Sequence, residues 1–197
     1  YNHELAQFCA DYAMLGYKYD NEEVKNYLNK AGFYSFYSFN DEDAGRDEVN
    51  YFLASRDIVV NGKVQKLVFM GTIGSYKNQW FSNFDPLGRE NEKRDNCFAD
   101  DGKTHRGFAD ARDFAYEHLS DYINSLIAND TKKEDIKILL TGHSRGAATA
   151  NLLAAKLIDE GSSSKLVSQG NVFAYTFATP NVTKNNTTAE KYNYILI

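Results

Sequence analysis

A Gly-x-Ser-x-Gly pattern is the feature of this sequence that most clearly predicts chemistry. It is centred on Ser144 within residues 141–148 (Thr-Gly-His-Ser-Arg-Gly-Ala-Ala), between a short apolar run and an amphipathic segment at 145–159. A serine on a sharp strand-to-helix turn adopts a strained backbone conformation that lifts its hydroxyl above the sheet edge. Gly142 and Gly146 suit such a turn because a Cβ at either position would collide with the neighbouring strand or helix. The helix would direct its first N–H groups at a developing oxyanion, so we predict that Ser144 is a nucleophile.

A serine nucleophile needs a base within hydrogen-bond reach and an acid that orients the base. No histidine follows Ser144, and the acidic residues that follow it are Asp159, Glu160 and Glu190. The first two lie at the far end of the helix that starts after the serine, about 20 Å away at ~1.5 Å per residue. The chain stops at Ile197 inside an apolar run. We therefore expect a truncated sequence.

The elements that must position these residues alternate between helix and strand in the second half of the chain. Apolar periodicity predicts helices over residues 3–16, 108–128 and 145–159. Asp20 with Glu23 three positions later is a capping arrangement that predicts a further helix over residues 20–32. Strands are predicted over residues 33–39, 50–60, 63–71, 136–140, 172–177 and 192–197. The dipeptide Asn61-Gly62 predicts a hairpin near the N-terminus. We expect an α/β fold with a mostly parallel sheet flanked by helices, preceded by this β-hairpin.

Length and composition favour one domain over residues 1–197. The chain carries 22 Lys and Arg residues against 27 Asp and Glu, a net charge of -5, and 43% of its residues are hydrophobic. The mild acidity and the lack of a basic cluster argue against nucleic-acid binding. No apolar run approaches the ~18 residues of a transmembrane helix. Phosphate-loop, dinucleotide-binding and metal-ligating motifs are absent, so we expect neither a metal nor an organic cofactor.

A long polar segment, residues 72–104, separates the hairpin from the first long helix. It contains Trp80, which could belong to a lid or could simply anchor the loop. The chain has two cysteines, Cys9 and Cys97, and their spacing leaves open whether they form a disulfide or remain two buried thiols.

The segment around Ser144 resembles the nucleophile motif of class 3 lipases, a family of α/β hydrolases. Three other stretches resemble motifs of that family and occur in its order: 68–72, 105–108 and 174–182. The opening residues 1–6 are similar to the N-terminal helix of the bacterial branch. One departure from the family is Met70, which stands where an arginine is common.

The resemblance implies a serine ester hydrolase, either a triacylglycerol lipase or a carboxylesterase, that forms an acyl-enzyme without a cofactor. The backbone N–H groups of Thr72 and Arg145 would form the oxyanion hole, and the Arg145 side chain would reach solvent or a carboxylate. His105 and His143 would have structural roles. The family places its acid just past the strand that matches 192–197, with the histidine further on. The expected partner is a small-molecule or lipid ester, with transient contact to a lipid interface, and the expected location is extracellular.

Two alternatives stay open at this point. The chain could be a catalytically incomplete binding protein on the same scaffold, and a natural end near Ile197 would favour that hypothesis. It could instead be a serine hydrolase that acts on thioesters or acetylated sugars. Rates on short-chain esters and on long-chain emulsions would separate the enzymatic hypotheses.

Overall fold

The structure is a computed structural model that describes residues 1–18, 20–40, 48–74, 106–159, 165–180 and 182. Its helices are α1 (His3–Gly16), α2 (Asn21–Lys30), α3 (Arg106–Ala128) and α4 (Arg145–Asp159). Its strands are β1 (Tyr34–Phe39), β2 (Tyr51–Val60), β3 (Lys63–Thr72), β4 (Ile136–His143) and β5 (Val172–Phe177). The predicted strand at 192–197, most of the polar segment with Trp80, and the residues Cys97 and His105 lie outside the described residues.

The described strands form one sheet in the order β1-β2-β3-β4-β5. The pairs β1–β2 and β2–β3 are antiparallel, whereas β3–β4 and β4–β5 are parallel. In the parallel part, Thr72 pairs with Gly142 and Gly142 pairs with Thr176, so the carboxyl ends of three strands lie side by side. The mixed sheet with flanking helices confirms the predicted α/β class.

The hairpin between β2 and β3 forms at the predicted dipeptide. Asn61 and Gly62 both have positive φ, 52° and 77°. Two successive left-handed residues are what a type I′ turn requires, and this turn matches the twist of the strands that it joins. The hairpin brings β3 to the middle of the sheet, beside β4.

Helices cover both faces of the sheet because successive strand residues point to opposite sides. On one face, α1 and α2 pack against Phe52 and Phe69. On the other face, α3 and α4 pack against Val68, Met70 and Leu140. Met70 is fully buried there, which suits an apolar side chain at this position. The two buried layers hold the parallel strands rigidly between them.

Helix α1 lies directly against the carboxyl end of β3. The Tyr12 hydroxyl donates a hydrogen bond to the Gly71 carbonyl oxygen, 2.7 Å away. A Cβ on Gly71 would lie 2.1 Å from the Tyr12 ring, so only glycine allows the helix to approach this closely. One turn further on, a Cβ on Gly16 would lie 3.0 Å from Ile73. The end of α1 is thereby placed beside the strand ends that carry the candidate site.

Candidate active site

Ser144 forms the junction between β4 and α4. Strand β4 continues to His143, beyond the predicted end at residue 140, because β5 pairs with it as far as Phe177. Ser144 then has φ 55°, in the left-handed region. Its N–H donates to the Phe177 carbonyl oxygen at 3.0 Å, and its own carbonyl oxygen accepts from the Ala148 N–H at 3.1 Å. The serine thus links the last hydrogen bond between the strands to the first hydrogen bond of the helix.

Two glycines leave no space for a side chain on either side of Ser144. A Cβ on Gly142 would lie 2.5 Å from the Gly146 backbone carbon, and a Cβ on Gly146 would lie 2.5 Å from the Thr72 carbonyl oxygen. Both distances are far below van der Waals contact. The steric reason predicted for the glycines is confirmed, and the first turn of α4 rests on the end of β3.

Thr72 is buried beside this turn, with 2% of its surface exposed. Its hydroxyl lies 2.7 Å from the Gly146 carbonyl oxygen and 3.1 Å from the Thr141 carbonyl oxygen. One hydroxyl donates one proton, and the shorter contact ties Thr72 to the first turn of α4. Sequence reasoning considered only the backbone N–H of Thr72 and missed this side chain. The sequence feature that could have revealed this role is a residue with a hydroxyl group at the end of a buried strand.

The backbone of β3 directs donors to both of its neighbours. The Ile73 N–H donates to the Asn50 carbonyl oxygen at 2.8 Å, on the β2 side. Successive residues of a strand turn their N–H groups to opposite sides. The Thr72 N–H therefore lies on the β4 side, where Ser144 follows the end of that strand.

Arg145 is the first residue of α4, so its N–H is among the donors that have no carbonyl partner within the helix. Its side chain is 6% exposed. Of the two places expected for this side chain, solvent or a carboxylate, the burial excludes solvent. The physical reason is that residues 145–150 are all buried, because the start of α4 is enclosed by the sheet and its neighbours and has no solvent-facing position.

His143 turns its ring towards α1. Its Nδ1 lies 2.8 Å from the Tyr17 hydroxyl oxygen, and the two rings meet edge to face at a centroid distance of 5.3 Å. This contact agrees with the packing role expected for His143. Burial raises the pKa of Tyr17 above its ordinary value, so its hydroxyl is protonated at neutral pH and can donate.

The other described histidines lie elsewhere. His3 is at the start of α1 beside Tyr1, and His118 on α3 has Nδ1 2.9 Å from the Phe114 carbonyl oxygen. Within the described ranges, no group of three or more His, Cys, Asp or Glu residues could hold a metal ion. No described helix is long and apolar enough to cross a membrane.

Comparison with solved structures finds lipases. A fungal lipase–inhibitor complex has a TM-score of 0.63 and 19% identity, covering 97% of this chain and 68% of that one. A deletion mutant of the Rhizomucor miehei lipase–propeptide complex has a TM-score of 0.61 and 16% identity, covering 100% and 58%. The native complex has a TM-score of 0.52 and 20% identity, covering 83% and 46%. The chain thus spans about half the length of the Rhizomucor miehei lipase chains that it matches.

These identities show a shared fold. No curated protein matches the sequence. The family model described as lipase (class 3) matches residues 66–195, a span that includes the end of β3, the turn at Ser144 and all of α4. The chain belongs to the class 3 lipase family.

Proposed function

We propose that this protein is a serine ester hydrolase that acts on carboxylic esters of lipids, with Ser144 as its nucleophile. The observation that carries the proposal is the backbone of Ser144, which is left-handed between a parallel strand and a helix. The glycines on either side have no room for a Cβ. Membership of the lipase family supports ester hydrolysis as the general activity.

In the proposed reaction, the Ser144 Oγ attacks the ester carbonyl carbon while a histidine accepts its proton. The negative charge that develops on the carbonyl oxygen is stabilised by the backbone N–H groups of Thr72 and Arg145. Collapse of this intermediate breaks the bond to the alcohol, which leaves with the proton from the histidine. Water then attacks the acyl-enzyme, and the carboxylic acid is released. The proposal assigns the histidine and its acid to residues that follow Ile197.

Two arrangements near Ser144 support an oxyanion hole at this place. The Thr72 hydroxyl binds the first turn of α4, so strand and helix cannot separate without breaking that hydrogen bond. The start of α4 also contributes partial positive charge where the oxyanion would form. Removing one oxyanion donor typically costs ~10²–10³ in rate, so a rigid frame for these donors has a large effect.

Ser144 can be tested as the nucleophile by intact-mass spectrometry with a fluorophosphonate probe. The protein with its natural continuation should gain one adduct, and Ser144→Ala should gain none. Ser125→Ala is a matched control, because this serine on α3 donates to the Tyr122 carbonyl oxygen within its own helix. It should be labelled like the wild type. An adduct that persists in Ser144→Ala would overturn the proposal.

The proposed position of the base is tested by the same probe on the chain that ends at Ile197. Without a histidine to accept the proton, labelling of this chain should be at least ~10³-fold slower than that of the continued protein. Equal labelling of both would show that the base lies within residues 1–197. If neither chain is labelled nor cleaves an ester, the binding-protein hypothesis replaces this one.

A substrate panel separates the remaining enzymatic alternatives. A lipase should cleave emulsified long-chain triacylglycerol, whereas a carboxylesterase should prefer short, dissolved esters. Preferential cleavage of thioesters or acetylated sugars would reassign the substrate class and leave the role of Ser144 intact. The lipase proposal includes contact with a lipid interface and an extracellular location. Activity that rises when the substrate forms an emulsion would support the contact with a lipid interface.

A further inference from the structure

We propose that Tyr17 is a positioning residue for the nucleophile turn, because its hydroxyl holds the residue that immediately precedes Ser144. The catalytic consequence rests on the proposed function, whereas the structural consequence can be measured without it. Tyr17 follows the last residue of α1 and is separated from His143 by 126 positions in sequence.

Three segments of the chain converge on the Tyr17 hydroxyl. It lies 2.8 Å from His143 Nδ1 and 3.4 Å from the His143 carbonyl oxygen. The first distance is a normal hydrogen bond and the second is long, so the imidazole is the main partner. A Cβ on Gly74 would lie 2.4 Å from this hydroxyl and 3.1 Å from the same carbonyl oxygen. The hydroxyl therefore sits between the end of α1, the residues after β3 and the end of β4.

A tyrosine hydroxyl can both donate and accept, so its hydrogen bond with His143 Nδ1 can run in either direction. Burial raises the pKa of the Tyr17 hydroxyl and so favours its protonated form. When the Tyr17 hydroxyl donates to Nδ1 of a neutral His143, the ring proton must reside on Nε2. In either direction the contact fixes the orientation of the imidazole, and when the hydroxyl donates it also selects the tautomer.

Tyr17 can act as a fixed support because the helix before it is seated on the sheet. Tyr12 is completely buried and donates to the Gly71 carbonyl oxygen, and a Cβ on Gly16 would lie 3.0 Å from Ile73. On the far side, β5 holds Ser144 through the Phe177 carbonyl oxygen. A strained left-handed residue persists only when its surroundings over-determine it. We infer that β5 and Tyr17 restrain the turn from opposite sides.

The test uses Tyr17→Phe, which removes the hydroxyl and keeps the ring. Tyr27→Phe is the matched control, because the Tyr27 hydroxyl also joins two elements by donating to a backbone carbonyl, that of Phe8, 3.1 Å away. In the protein with its natural continuation, Tyr17→Phe should lower kcat and the rate of fluorophosphonate labelling about ten-fold with KM unchanged. Tyr27→Phe should leave all three unchanged.

A second readout does not depend on activity. Tyr17→Phe should accelerate hydrogen exchange at the Ser144 amide and shift the ¹⁵N signals of the His143 imidazole, while Tyr27→Phe should change neither. If the two variants behave alike in exchange, in imidazole signals and in kcat, Tyr17 has only a structural role and the inference is overturned. If the wild type takes no label but the exchange and imidazole differences appear, the proposed function fails and the positioning role stands.

Because Tyr17→Phe could lower stability, a second variant separates positioning from folding. His143→Leu removes the partner of the hydroxyl and leaves Tyr17 in place. If Tyr17 acts through His143, adding Tyr17→Phe to this variant should change the labelling rate less than two-fold. A full ten-fold further loss would contradict the proposed route through His143.

Discussion

Ser144 takes a backbone conformation that residues with a Cβ seldom adopt. Its φ of 55° is matched nearby by Ala178, which follows Phe177 and has φ 49°. Left-handed backbone costs about 1–2 kcal/mol for such residues. Two strained residues therefore flank the hydrogen bond from the Ser144 N–H to the Phe177 carbonyl oxygen. Strain of this kind concentrates at functional sites, and here it places the serine at the sheet edge.

The strain can be measured by comparing two substitutions of Ser144. Ser144→Gly should be more stable than Ser144→Ala by about 1 kcal/mol, because glycine accepts positive φ without a Cβ conflict. Urea denaturation followed by circular dichroism measures the difference. Ser125 provides the control: it lies within the regular helix α3, so Ser125→Gly should be less stable than Ser125→Ala by about 1 kcal/mol. If the glycine variant were less stable than the alanine variant at both positions, Ser144 would not be strained.

At the scale of elements, the site depends on how α4 docks on the strand ends. The first turn of the helix presents Gly146, Ala147 and Ala148, all buried. Small side chains allow the helix N-terminus to approach β3 closely. A Cβ on Gly146 would lie only 2.5 Å from the Thr72 carbonyl oxygen. The same docking aligns the first N–H groups of α4 with the end of β3.

Gly146→Ala tests this close approach. The added Cβ would lie 2.5 Å from a backbone oxygen that cannot move without shifting β3. We expect a loss of about 1–3 kcal/mol in the free energy of unfolding and a marked fall in labelling of Ser144. Gly170→Ala is the matched control, because a Cβ there meets nothing within 4 Å, and it should change stability by less than about 0.5 kcal/mol. Equal effects of the two variants would show that docking is not this close.

The helices α3 and α4 are also joined by a charged contact. Asp113 accepts from Arg112 and from Lys156, each at 2.9 Å. Burial alone would raise the pKa of Asp113, but the two hydrogen bonds outweigh it, and the pKa lies below the ordinary value of 3.8. A carboxylate with a lowered pKa stabilises the folded state above the pKa of the unfolded chain. That contribution is lost as the pH falls through the pKa of the folded state.

Asp113→Asn should therefore be less stable than the wild type at pH 7, by up to about 1 kcal/mol because the carboxylate is partly exposed. The difference should shrink once the pH falls below about 3.8, where the carboxyl of the unfolded chain becomes protonated, and should vanish below the lower pKa of the folded state. Urea titrations at several pH values measure it. A difference that grows towards low pH would contradict the assigned direction of the pKa shift.

At the scale of the whole molecule, one sheet supports two buried layers. Phe69 lies at the centre of the layer below α1 and α2, with its ring 4.8 Å from that of Tyr12, 5.5 Å from that of Phe8 and 5.6 Å from that of Phe33. Its neighbours in β3, Val68 and Met70, belong to the opposite layer. Because both layers share the same strands, neither can be lost without disturbing the other.

Phe69→Ala should cost about 3–5 kcal/mol in the free energy of unfolding, since it opens a cavity among aromatic rings. The loss should appear as one cooperative transition by circular dichroism and by hydrogen exchange in α4, on the opposite face. Val59→Ala is the control, because this side chain is 71% exposed, and it should change stability by less than about 0.5 kcal/mol. Independent melting of the two layers would show that the sheet does not couple them.

The sequence alone was sufficient for the features that local chemistry encodes. The hairpin at Asn61-Gly62 and the turn at Ser144 follow from short patterns whose backbone requirements few other residues meet. The parallel sheet follows from the alternation of strand and helix, because crossover connections have one preferred hand. The helix α1 was predicted with its observed bounds, since its apolar spacing is regular.

Other features appeared only in the tertiary structure, because they join residues distant along the chain. The hydrogen bond from Thr72 to Gly146 spans 74 positions, and the contact of Tyr17 with His143 spans 126. The burial of Arg145 likewise depends on what surrounds the start of α4. Periodicity reports which side of an element is apolar and says nothing about which distant residue lies opposite. The sequence therefore determined the strand-to-helix turn at Ser144, and packing across the sheet decided what holds it.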